Sequence, residues 1–418
     1  MTKLNTILII GAGIGGLTCA LALQQHGLRP IILEQAEQLG DVGAGIQLSP
    51  NAMSVLNKLG LEERLKTAGF LPQGIQSNHW QSGKILTQVP FDLLNFHAPY
   101  LHIHRADLHK ILRDAVCAND PDSIRTHQRV AFVNCAQTQL TLDTGEVLSA
   151  DWIIGADGIR SRCRDAVLGR TQPARFTGNV AWRGLLHRDS VPAHLHPTPY
   201  ANLWMGSGGH VVAYYVRGGE WINFIAVREQ DDWQDESWQS PAHLAVLLGE
   251  FAGWDSKLLD LMAHSDPKQC YRWALFDRDP ISTWSNHRTL LLGDAAHPML
   301  PFVAQGAAMA IEDSWVLSQL LAQSASDQLD ADQVGTRYQE LRADRCARVQ
   351  QLARDNMRLF HHRMPLLRFG RDLVARGMNA ISPAVATKRV AWIYDWQATE
   401  MPVDTATGAT DPTTDHTN

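Results

Sequence analysis

The sequence predicts an α/β fold, and three observations predict it. Residues 6–10 (Thr-Ile-Leu-Ile-Ile) are a continuous β-branched, apolar run, followed at once by a glycine cluster and a helix-compatible segment from Leu17 that ends at Gly27. A second apolar run, Ile31-Ile-Leu33, comes next. Runs of this kind suit strands buried on both faces of a parallel sheet, joined by a crossover helix. From Pro199 the pattern changes to strands over 200–205, 210–217 and 221–228, separated by the turns Gly206-Ser-Gly-Gly209 and Gly218-Gly219. That is the signature of an antiparallel meander.

The remaining elements follow in order. Helices are predicted over Asn51–Gly60 and Leu108–Ala118, and strands within 129–142 with a turn at Thr144-Gly145. Trp152-Ile-Ile154 and Arg288–Leu292 read as further buried strands, the second leading through Gly293-Asp294 to a long helix from about Gly306. Apolar positions Val334, Tyr338, Leu341, Val349, Leu352 and Phe360 make a helical stripe. A basic amphipathic helical region covers 364–396. The basic helices between Arg337 and Arg376 are expected to pack on the rest of the chain with a solvated face, with contact to phospholipid or a partner subunit as the alternative. After Ala398 the chain is poor in apolar residues, so a disordered tail is predicted over 398–418.

Bulk properties narrow the function. A chain of 418 residues is too long for one core and suits two or three packed sub-structures. A net charge of −6 gives no bias toward nucleic acid or membrane. Six cysteines, at 19, 117, 135, 163, 270 and 346, form no C-x-x-C pair and no Cys/His cluster, so neither a metal nor a disulfide framework is expected. The chain enters its first strand directly after Met-Thr-Lys, and no apolar run reaches spanning length. The expectation is a cytoplasmic protein without integral membrane association, a homodimer being one assembly open to it.

Gly11-Ala-Gly13-Ile-Gly15-Gly16 satisfies G-x-G-x-x-G after a strand and before a helix, with Glu34 at the end of the next strand. In that setting the pattern is the Rossmann dinucleotide fingerprint. Gly11 permits the tight turn, Gly13 lets backbone approach a pyrophosphate, and Gly16 allows close helix–strand packing. The helix N-terminus supplies free N–H groups and partial positive charge to phosphates. Glu34 is placed to accept from a ribose. Asp294, at the carboxyl edge of the sheet, can accept from further hydroxyls, and Ala304-Gln-Gly306-Ala307-Ala-Met-Ala310 is a small-residue segment against which a flat ring can lie. Helix packing alone would also explain those small residues.

Two further motifs carry a family resemblance. Gly155-Ala-Asp157-Gly158-Ile-Arg-Ser161-Arg-Cys-Arg164 resembles the D-G motif, and Leu292-Gly293-Asp294-Ala-Ala-His297-Pro298 the G-D motif, of the group A FAD-dependent aromatic hydroxylases, the fold family of 4-hydroxybenzoate hydroxylase. All three motifs stand in the family's order, and the resemblance covers about 4–395. It implies a Rossmann-type FAD-binding domain, an interposed antiparallel β-sheet substrate domain and C-terminal helices. The implied boundaries are 1–75, 100–175 and 288–330 for FAD binding, 76–99 and 176–287 for substrate, and 331–397 for the helices. FAD is the implied cofactor and NAD(P)H the co-substrate, bound transiently because only one fingerprint is present. The implied reaction hydroxylates a small hydroxybenzoate-like phenol with O2 through a C4a-hydroperoxyflavin. The residues expected to bind FAD are Gly11, Gly13, Gly15, Gly16, Glu34, Gln35, Gln47, Arg105, Val130, Asp157, Asp294, Gly306 and Ala307. Asp157 reads equally well as a helix cap.

On the strand 210–217, His210, Val212, Tyr214 and Val216 share a face. The spacing of His210 and Tyr214 resembles the active-site pair of the hydroxylases for 3-hydroxybenzoate and 6-hydroxynicotinate. A phenol is a better nucleophile once deprotonated, and a histidine can take that proton, so His210 and Tyr214 are the catalytic candidates. Gln47 and Phe302 stand where the hydroxynicotinate branch has histidines, which disfavours a pyridine substrate. His297 is read as structural. Trp204 and Tyr215 line the pocket or fill the meander's core. The alternatives are a flavin oxidase or dehydrogenase on the same scaffold, a hydroxylase of a hydroxypyridine or quinolone-type ring, and, further off, a flavin halogenase or a non-enzymatic flavin sensor.

Overall fold

A computed structural model describes residues 6–40, 43–231, 240–241, 243–381 and 391–401. Ile7–Ile10 forms the centre of a six-stranded sheet, paired in parallel with Trp152–Gly155 on one side and Pro30–Leu33 on the other. Thr289–Leu291 extends it in parallel beyond Trp152–Gly155, and Ile124–Arg125 beyond Pro30–Leu33. All four residues of Ile7–Ile10 are buried, as expected for a strand covered on both faces. Helices Ile14–Gln25 and Gly306–Ala325 pack against each other over it. Gly27 (φ +75°) lets the chain leave the first helix in a left-handed conformation.

The second layer is an eight-stranded sheet. Its order is Ser240–Pro241, Tyr271–Asp277, Arg175–His187, Trp221–Glu229, Gly209–Val216, Ala201–Gly206, Gly74–His79, Ile85–Pro90. Every pairing is antiparallel except that of Ala201–Gly206 with Gly74–His79. The expected meander is therefore the middle of a larger sheet. Alternation sorts its side chains: Val211, Ala213 and Tyr215 enter a core with Trp182, Trp204, Phe224, Phe251 and Trp254, so Trp204 and Tyr215 fill core. His210, Val212 and Tyr214 point the other way, toward the six-stranded sheet.

The predicted helices appear as Pro50–Lys58, Arg105–Asn119, Gly306–Ala325 and Val334–Phe360. Tyr338, Cys346 and Val349 of the last enter the main core. Pro365–Ile381 is helical, and Leu366, Phe369 and Leu373 on it are exposed, so its outer face is apolar rather than simply solvated. Within the span predicted as a tail, Ala398 is instead buried in the main core; residues 402–418 lie outside those described. Among the described residues no helix is long and apolar enough to cross a membrane.

Candidate active site

The glycine turn has the geometry its sequence demands. Gly11 has φ +103°, and a Cβ there would lie 2.5 Å from the Ala156 oxygen. A Cβ on Gly16 would strike the Gly11 carbonyl oxygen. Nothing lies within 4 Å of a Cβ built on Gly13, whose backbone faces open space. Glu34 braces the turn: Oε2 accepts from Ala12 N at 2.8 Å and Oε1 from Ala36 N at 2.9 Å. Gln128 N donates to the Glu34 carbonyl at 2.8 Å, which brings the loop before Val130 alongside.

From Gly13 and Gly15 a cavity of about 420 Å³ runs past Arg105 and Asp294 to Gly306 and Ala307, then to His210, Val212 and Tyr214. Asp294 lines this cleft with its side chain open to it; the protein around it pushes its carboxyl above the usual range, while His297 and Arg105 pull the other way. Burial likewise lowers the Arg105 pKa, opposed by Asp294. Ala304 (φ +51°) turns the chain so that helix Gly306–Ala325 opens onto the cleft with its positive end.

A second cavity of about 600 Å³ lies behind the first and shares with it Gln47, His210, Val212, Pro301 and Ala304. Ile75, Leu203, Met205, Phe302, Phe360 and Tyr394 make its walls mostly apolar. Arg371 also lines it, but that guanidinium already donates to Asp372 and to the carbonyls of Met205, Leu359 and Phe360. Gln47 Oε1 accepts from the Tyr100 hydroxyl at 2.7 Å. The His102 ring lies 4.5 Å from that of Tyr214, and burial holds the Tyr214 phenol above its usual pKa, against Arg183 and Gln47. His210 sits at the junction. Its Nδ1 is 2.8 Å from His361 Nε2, and its Nε2 makes no hydrogen bond among the described residues. Burial, and then His361, hold its pKa well below the usual histidine value, so the ring is neutral at pH 7.

Of the residues expected from the sequence, the cleft is lined by Gly13, Gly15, Gln47, Arg105, His210, Tyr214, Asp294, Gly306 and Ala307. Gly11, Gly16 and Glu34 shape the turn from behind. Gln35 is exposed and Val130 is buried at the start of Val130–Asn134; neither lines the cleft. Asp157 does not line it either. Its Oδ1 accepts from the Ser161 hydroxyl at 2.5 Å and its Oδ2 from Arg162 N at 2.7 Å, so the carboxylate caps helix Arg162–Leu168. A helix with unpaired N–H groups competes for a nearby carboxylate, and here it wins.

His297 is buried with Nε2 2.6 Å from Asp313 Oδ2, an oxygen that also accepts from Gly293 N at 3.1 Å. Asp313 Oδ1 accepts from Arg342 Nε at 2.7 Å. His297, Asp313 and Cys346 bring ligand atoms within 4.8 Å of one another, but the guanidinium on the same carboxylate makes this an ion-paired brace rather than a cation cage. Two contributors escaped the sequence reading. Arg164, the last residue of the D-G motif, donates through Nη1 to the carbonyls of Ala295 (3.0 Å) and Ala296 (2.7 Å) and so clamps the G-D loop. The motif spelling held the arginine without its partner. His361 carried no local signal.

Comparison with known proteins shows which family the chain resembles along its length. The family model for the FAD binding domain matches residues 5–353. The chain is 35% identical to the 3-amino-4-hydroxybenzoate 2-monooxygenase PtmB3 of Streptomyces platensis, over 94% of this chain and 96% of that protein. It is 31% identical to the 3-hydroxybenzoate 6-hydroxylase of Klebsiella oxytoca, over 95% and 98%. The structure of Klebsiella pneumoniae HpxO complexed with FAD and uric acid superposes with a TM-score of 0.82 at 26% identity, covering 94% of this chain and 96% of that one.

Proposed function

The chain belongs to the FAD binding domain family, and from that premise we propose that it is an FAD-dependent aromatic monooxygenase, using NAD(P)H and O2 to hydroxylate a small phenolic, hydroxybenzoate-like compound. The observation that carries the reading is His210. It is the basic side chain common to the cofactor cleft and the apolar cavity, and it keeps one ring nitrogen uncommitted.

The residues present fit FAD. The space beside Gly13 is what a pyrophosphate needs, and a helix N-terminus opens at each end of the cleft. Gly13 and Gly15 would hold the phosphates, Asp294 and Arg105 the ribityl chain and ring edge, and Gly306 and Ala307 the pyrimidine side. Glu34 would face the adenosine ribose. When bound, FAD supplies the redox chemistry, taking a hydride from NAD(P)H and delivering one oxygen atom of O2 to the ring.

The chain's own residues supply the rest. His210 Nε2 accepts the phenolic proton, raising electron density on the ring. Tyr214, kept un-ionised by burial, orients the substrate oxygen. The apolar second cavity positions the ring and excludes water. Consumption of NAD(P)H supports a cytoplasmic location.

The test is a panel of hydroxybenzoates, aminohydroxybenzoates and hydroxypyridines, following NAD(P)H loss, O2 uptake and product mass together. A phenol whose mass rises by one oxygen per NAD(P)H is the expected result. NAD(P)H oxidation that yields only peroxide with every compound would make the protein an oxidase.

A further inference from the structure

His210 is enclosed, and its environment disfavours the charge it would acquire as a base. A base that cannot keep a proton has to hand it on. The structure provides one continuous path. His210 Nδ1 meets His361 Nε2 at 2.8 Å. His361 caps helix Val334–Phe360, and its side chain is fully buried. Its Nδ1 lies 3.5 Å from Glu229 Oε1 without closing a hydrogen bond. Glu229 Oε2 accepts from Arg363 Nε at 2.6 Å, and that arginine is exposed at the surface.

The backbone holds this path together. Gly208 N donates to the His361 carbonyl at 3.1 Å, and Glu229 N donates to the Gly208 carbonyl at 2.9 Å. The turn Ser207-Gly208 thus fixes both relay members. Phe302 and Phe360 pack edge-on against His210, leaving no other polar exit from its Nδ1 side among the described residues.

We propose that His361 and Glu229 relay the phenolic proton from His210 to solvent. The proposal rests on His210 being the base, as argued under Proposed function. In the tautomer that serves, His210 carries its proton on Nδ1 and points the Nε2 lone pair into the cavity. The phenol O–H bond breaks as Nε2 takes the proton. The Nδ1 proton passes to His361 Nε2, and the His361 Nδ1 proton passes to Glu229, after a small rotation closes the 3.5 Å gap. Glu229 then loses the proton to water. No electrons move, and the net change is phenol to phenolate with one proton released. The same path run backward, on reprotonation of the product oxygen, restores both tautomers. His361, and then Arg363, hold the Glu229 pKa below the usual value against burial, so the carboxylate is ionised when the proton arrives and gives it up readily to water.

The experiment mixes the FAD-loaded enzyme anaerobically with 3-amino-4-hydroxybenzoate, and separately with 3-hydroxybenzoate, and follows phenolate absorbance by stopped flow in H2O and D2O. His361→Gln keeps a hydrogen bond to His210 but cannot relay, and Glu229→Gln removes the acceptor. Both are expected to slow phenolate formation roughly tenfold to a hundredfold, with flavin spectrum, melting temperature and probe Kd unchanged. Glu229→Asp is expected to restore most of the rate, and the wild type to show a solvent isotope effect that H361Q loses. Wild-type phenolate formation in H361Q and E229Q, with His210→Gln impaired, overturns the relay alone. Wild-type formation in H210Q, or failure of both phenols to bind, overturns the base reading and the relay with it. If H361Q unfolds, E229Q at the surface end decides.

Discussion

The Arg342 guanidinium donates to Asp313 at 2.7 Å with neither side chain reaching solvent. The same carboxylate receives His297 and the Gly293 N–H, so one buried ion pair fixes the loop that carries Asp294. Asp313→Ala leaves the Arg342 charge with Glu312, 2.8 Å away, as its remaining buried partner, so the loss should fall at or below the low end of the about 3–5 kcal/mol that breaking a buried pair costs. Denaturant unfolding should show that loss. Although burial opposes it, His297 and Arg342 hold the Asp313 carboxyl down to about 2. Its unfolded value is about 4. The stabilisation is therefore complete above about pH 4 and disappears as pH falls toward about 2, so D313A should flatten the acid limb of the stability curve in that window.

Gly13→Ala and Gly16→Ala should fail differently. The Gly16 change drives a Cβ into the Gly11 oxygen, so the apoprotein's melting temperature should fall. The Gly13 change meets no protein atom. G13A should melt like the wild type without flavin, yet retain far less FAD after gel filtration. Equal flavin retention in G13A would remove the pyrophosphate from this turn.

Asp294→Ala tests the other end of the cleft. Losing a charged acceptor costs about 1.5–3 kcal/mol, or roughly tenfold to a hundredfold in FAD affinity. Flavin fluorescence during titration of the apoprotein reads it directly. Unchanged affinity would move the cofactor away from this carboxylate.

His210→Gln should lower coupled hydroxylation roughly 100- to 10,000-fold while leaving FAD bound. Tyr214→Phe should do less, since it loses an orienting hydroxyl and keeps the ring. Product formation per NAD(P)H separates the two, and an undiminished H210Q would end the base assignment.

Leu203→Trp fills the second cavity from a wall the first does not share. Its KM for the aromatic substrate should rise by tenfold or more, with the flavin spectrum unchanged. A KM equal to wild type would put the substrate elsewhere.

What the sequence disclosed, and what it withheld, divides by range. The turn at Gly11–Gly16 was legible because each glycine answers a local backbone demand. The face shared by His210, Val212 and Tyr214 was legible because strand alternation is strictly two-residue. Asp157 stayed ambiguous, since a carboxylate before a helix suits both a cap and a ligand, and only the position of Ser161 and Arg162 decided it. His361 was invisible: it meets His210 across 151 residues, through a helix end landing on a hairpin turn. The parallel pairing of Gly74–His79 with Ala201–Gly206 was hidden for the same reason, because no turn joins those strands. The exposed apolar face of Pro365–Ile381 was half legible, as periodicity reveals a stripe but not whether anything covers it.

Five residues, Gln47, His210, Val212, Pro301 and Ala304, are wall to both chambers. A change there made to admit a bulkier guest also alters the seat of the flavin, so variation at these positions is doubly constrained. Drift in guest preference is free to accumulate on the far panels, such as Leu203, Leu359 and Val374, which the flavin chamber does not use. A lineage of such proteins can thus diversify in diet while its oxygen chemistry stands still.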